Sequence, residues 1–68
     1  MDDKKYEAII EAILFTMGES VELEKIAGVL ELDKKETKQI IDRMMEHYED
    51  DSIGVRIIEL DGAYQMCT

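Results

Sequence analysis

The chain has 68 residues and a single cysteine, Cys67, so a thin hydrophobic core must hold without an internal disulfide or a multi-cysteine zinc site. Seventeen acidic residues against eight basic ones give a formal net charge of -9; such a charge repels a phosphate backbone at long range and argues against nonspecific binding to nucleic acid or to an anionic membrane. With 46% hydrophobic residues, 37% charged and no proline, the composition is that of a globular domain, and a partner subunit is the staple still available to it.

The first residues, MDDKKYEAII, carry acid where a signal peptide needs base, and no apolar run approaches membrane-spanning length. A cytoplasmic protein with a reduced thiol is the expectation. From Tyr6 the apolar residues fall at Tyr6, Ile9, Ile10, Ile13, Leu14 and Met17, a three-and-four spacing that predicts a helix, with Asp2 or Asp3 as its cap and Gly18 as its stop. A second line, Ala8, Ala12 and Phe15, widens the apolar sector beyond the need of one small core. It marks either an interface or a place where small residues let a neighbouring helix approach.

After a Glu19-Ser20-Val21 connection, Leu23, Ile26, Ala27, Val29 and Leu30 predict a second helix of two to three turns, and Leu32 packs in the turn that follows. Asp33 with Glu36 three residues on resembles a capping box, so a third helix should start at Lys34. Its stripe is Thr37, Ile40, Ile41, Met44, Met45 and Tyr48. The acids Glu49, Asp50 and Asp51 stand where the helix dipole disfavours negative charge and should end the helix before Gly54.

The period then changes. VRIIEL and AYQMCT are strand-like, and Asp61-Gly62 between them is a strong signal for a two-residue type I′ hairpin turn. Counting outward pairs Leu60 with Ala63 and Ile57 with Met66. One face then carries Val55, Ile57, Tyr64 and Met66, the other Ile58, Leu60, Ala63 and Cys67. The fold class is mainly α with a β-hairpin (α+β), a winged helix-turn-helix of three helices followed by a two-stranded wing. Residues 1–68 form one domain, with no repeat, linker or low-complexity tract.

Residues that could do chemistry are few. Cys67 lies near the chain end in a strand and the only histidine, His47, is on the third helix, with nothing in their spacing to pair them as nucleophile and base. His47 and Asp51 are four apart, but two ligands do not complete a metal site and Arg43 one turn earlier would oppose a cation. Gly18, Gly28, Gly54 and Gly62 are scattered and make no phosphate loop. No catalytic residue, metal or cofactor is expected.

DNA binding is the main alternative. Lys34, Lys35, Lys38 and Gln39 stand where the recognition helix of a helix-turn-helix meets base edges, which would suit a winged-helix transcriptional regulator. Against that, Glu36, Asp42 and Glu46 share the helix, and the wing sets Arg56 against Glu59 and Asp61 where phosphate contacts would be needed.

The order of motifs resembles the start of the segregation and condensation protein B family over almost the whole chain. The residues that carry the likeness are the IEAILF helix running into MGE, the ELEKIAGVLEL second helix, and the GVRIIELDGAYQMCT wing with Tyr64 just past the turn. Ser20 and Glu22 stand where the family often has a proline and a serine or other good helix cap. The resemblance implies a non-enzymatic, nucleoid-associated subunit of the bacterial chromosome-condensing complex, one that forms homodimers and binds the kleisin bridging the heads of the SMC ATPase. It also implies a longer protein with two winged-helix domains, of which this chain would be the first. The expected dimer or partner contact is the outer sector of the first helix, Ala8, Ala12 and Phe15, with Ile58 and Leu60 of the outer wing face. No direct nucleic-acid binding and no membrane are expected.

Overall fold

The computed structural model describes residues 3–49 and 53–67. Helix α1 spans Asp3–Met17, and at Gly18 the backbone turns left-handed (φ 65°) while the Gly18 N–H donates to the Leu14 carbonyl at 3.3 Å. Glycine suits this position because it has no Cβ to clash there. Asp3 is the first helical residue and sends its carboxylate to the Arg43 guanidinium at 2.6 Å, while Asp2 lies outside the described residues.

The connection after α1 is more ordered than its sequence suggests. Val21–Glu22 form a short strand, β1, which pairs with the last strand, so the wing belongs to a three-stranded antiparallel sheet of order β1-β3-β2. Strands β2 (Arg56–Leu60) and β3 (Ala63–Cys67) are the predicted hairpin, with Leu60 opposite Ala63 and Ile57 opposite Met66. Asp61 and Gly62 both have positive φ, 52° and 87°, as a type I′ turn requires.

Helix α2 (Leu23–Leu30) begins at Glu22, whose side chain makes no capping bond. The Leu23 N–H instead donates to the Gly62 carbonyl at 3.1 Å, so the hairpin turn satisfies one of the helix's orphan donors. The helix ends in a Schellman arrangement: Glu31 N–H donates to the Gly28 carbonyl (3.3 Å) and Leu32 N–H to the Ala27 carbonyl (3.1 Å). Glu31 holds the left-handed conformation that this requires (φ 58°), a position that glycine would occupy more easily.

Helix α3 (Lys34–His47) starts at the predicted cap, where Asp33 Oδ1 accepts from the Glu36 N–H at 2.7 Å. Thr37, fully buried, donates its hydroxyl to the Asp33 carbonyl at 2.8 Å, so its one polar group enters the core satisfied. At the far end the Tyr48 hydroxyl donates to Glu11 Oε2 at 2.6 Å and ties α3 to α1.

The core forms where the three helices meet one face of the sheet. Ile10 and Leu14 of α1, Ile26 of α2, Ile41 of α3 and Tyr64 of β3 are each at most 1% exposed. Each such side chain contributes about 1.5–3 kcal/mol relative to leaving it in water. The inner hairpin face is the expected one: Ile57 and Tyr64 are buried and Met66 packs against them, with Val55 half-buried.

Candidate interaction surface

Two of the apolar residues in the predicted helix stripes reach solvent. Met17 is 43% exposed and Val29 58%. They stand at the rim of a groove of about 500 Å³ between α1 and α2, walled by Ile9, Ala12 and Ile13 with the buried Val21 of β1 beneath. Among the described residues Thr16 and Lys25 are its polar lining. The exposed side chain of Lys25 stands where the groove meets a second depression lined by Glu19, Glu22 and Glu24, and it forms no ion pair or hydrogen bond among the described residues. Periodicity did not separate most of this groove from the core, since Ile9, Ile13, Met17 and Val29 share the spacing of the buried residues, whereas Ala12 stood in the second line of α1.

The predicted contact residues are distributed around α1 and the wing. Ala8 and Ala12 are exposed, so no helix of this chain uses them for close approach; Ala12 opens into the groove. Phe15 is 77% exposed and borders a separate depression with Leu14, Gly18, Val55, Met66 and Cys67. On the outer wing face Leu60 is 45% exposed and Ile58 half-buried. Apolar side chains of this size left in water are what a partner surface would cover.

The lysines at the start of α3 are exposed but largely engaged. Lys34 Nζ lies 3.9 Å from Glu24 of α2, and Lys38 Nζ bonds Asp42 one turn on at 3.3 Å. That bond holds the Lys38 amine above its usual pKa. Lys35 and Gln39 are exposed beside them. The face therefore presents alternating charge, where a phosphate backbone would favour a continuous positive one.

Cys67 is half-buried beside Phe15, whereas the His47 ring packs on Tyr48 with centroids 5.7 Å apart. Among the described residues no three His, Cys, Asp or Glu side chains are grouped closely enough to hold a metal ion, and Asp51 lies outside them. No described helix is long and apolar enough to cross a membrane.

A helix, a short strand, two further helices and a hairpin, in this order, define a winged-helix domain, here one with exposed apolar side chains on α1, α2 and the wing. Residues 8–68 match the family model of the segregation and condensation complex subunit ScpB. The chain belongs to that family. It is 62% identical over 64 residues to segregation and condensation protein B of Agathobacter rectalis, a match covering 93% of this chain and 34% of that protein. Over 68 residues it is 57% identical to the protein of the same name from Lachnoclostridium phytofermentans, covering all of this chain and 36% of that one. The chain thus spans about a third of the length of the curated relatives it matches. Among solved structures it resembles the crystal structure of the dimer of the ScpB N-terminal domain complexed with ScpA peptide, with a TM-score of 0.90 and 33% identity over 96% of this chain and 82% of that one.

Proposed function

We propose that this chain is the winged-helix part of a ScpB subunit that works without catalysis, by binding protein: a second copy of itself and an ScpA-type kleisin, and through the kleisin the SMC ATPase. In that role it serves chromosome condensation and segregation at the nucleoid. Family membership and the dimeric, ScpA-bound state of the similar solved domain support this reading. The observation in this chain that carries it is Phe15, 77% exposed on a folded surface, with Ala8 exposed two turns earlier on α1 and Ile58 and Leu60 on the outer wing. The net charge of -9 fits a subunit that leaves nucleic acid to the ATPase.

The test is the mass in solution by light scattering, for the chain alone and mixed with ScpA. A dimer alone and a heavier complex in the mixture are the expected results. A chain that stays monomeric at millimolar concentration and leaves ScpA unbound would remove the proposal.

A further inference from the structure

The groove between α1 and α2 is a different surface from the one Phe15 occupies, and its shape and charge point to a different occupant. We propose that it receives an amphipathic helix of another polypeptide, anchored by a carboxylate on Lys25; the assignment rests on the reading that this domain binds an ScpA-type subunit.

The groove runs beside α1 from Ile9 to Met17, a rise of eight steps and so about 12 Å at 1.5 Å per residue. A partner helix places apolar side chains at i, i+3 or i+4 and i+7 over about the same distance, and a groove of about 500 Å³ is of the size that takes a few such side chains. An extended segment would fit the length but not the chemistry. Its backbone N–H and C=O groups would enter an apolar trough to which, among the described residues, β1, two residues long, is the one strand contributing a lining residue. A helix brings its backbone bonds already made.

A second copy of this chain is the poorer occupant. A two-fold contact through the groove would set one concave wall against another and bring two Lys25 ammonium groups to the same interface. Lys25 has no acidic partner among the described residues, so a carboxylate from outside can take that place without displacing one. Glu19 and Glu22 line the adjoining depression, which favours basic residues where the partner runs on past that carboxylate.

The experiment uses overlapping fluorescent peptides that tile the ScpA of the same genome, titrated by anisotropy into the wild-type chain and into Lys25→Glu and Val29→Glu. Both positions are exposed, so the variants should fold, and circular dichroism checks this. The expected result is that a peptide able to form a helix binds the wild-type chain, that each variant binds it at least tenfold more weakly, and that the dimer mass is unaltered. Wild-type affinity in both variants would overturn the groove assignment while leaving the ScpA reading intact. Loss of the dimer in either variant would overturn it in favour of contact between copies. If no peptide bound the wild-type chain, the ScpA reading would fall and this assignment with it.

Discussion

Phe15 offers the most direct measurement of the proposed self-association. Burying a phenylalanine completely stabilises by about 1.5–3 kcal/mol, and with 77% of Phe15 still open, about three quarters of that is available to a partner. In a symmetric dimer the residue contributes twice, on the order of 2–4 kcal/mol if both copies are covered. Phe15→Ala should therefore raise the dimer dissociation constant roughly 30- to 700-fold. Sedimentation equilibrium over a wide concentration range reads that constant directly. Because the side chain adds little to the folded monomer, urea unfolding of the monomer should shift by no more than about 0.5 kcal/mol. A dimer constant within twofold of wild type would show that Phe15 stays in water in the assembly, and the outer sector of α1 would lose its role.

Other consequences concern the fold and the rival surface. Glu31→Gly should raise stability by about 0.5–1 kcal/mol in urea unfolding, since glycine adopts the left-handed φ of 58° without a Cβ clash; a loss of stability would mean that chain entropy outweighs the strain. The Tyr48 hydroxyl is pushed up to about 12 from its ordinary 10, by burial first and then by its bond to Glu11. A folded-state pKa raised in this way adds stability that is full below pH 10 and is lost as pH rises through 12. Tyr48→Phe should flatten the alkaline limb of the stability profile, and an unchanged limb would remove Tyr48 as its cause. At low salt the wild-type chain should show no binding to duplex DNA by anisotropy. Salt-sensitive binding that disappears when Lys34, Lys35 and Lys38 are changed together would restore α3 as a recognition helix.

What the chain determines by itself is what a few consecutive residues can decide. Asp33 caps α3 because its carboxylate reaches an N–H three residues away, and Asp61-Gly62 sets the hairpin register because both residues accept positive φ. The three helices and the inner hairpin face follow from periods of three to four and of two. The family resemblance was legible in the same way, since its motifs lie in these elements.

Other features depend on neighbours far away in the chain. A two-residue strand has no period, and β1 exists because β3 presents an edge to Val21 and Glu22. The start of α2, poorly capped by Glu22, is completed by a carbonyl from the turn nearly forty residues on. Met17 and Val29 have the spacing of core residues, yet the groove between α1 and α2 leaves them exposed at its rim, while Ala12 opens into the groove and Phe15 borders another depression. Periodicity determines which side of a helix is apolar. How much of that side is covered is decided only when the helices and the sheet pack together, because burial depends on what the neighbouring elements fill.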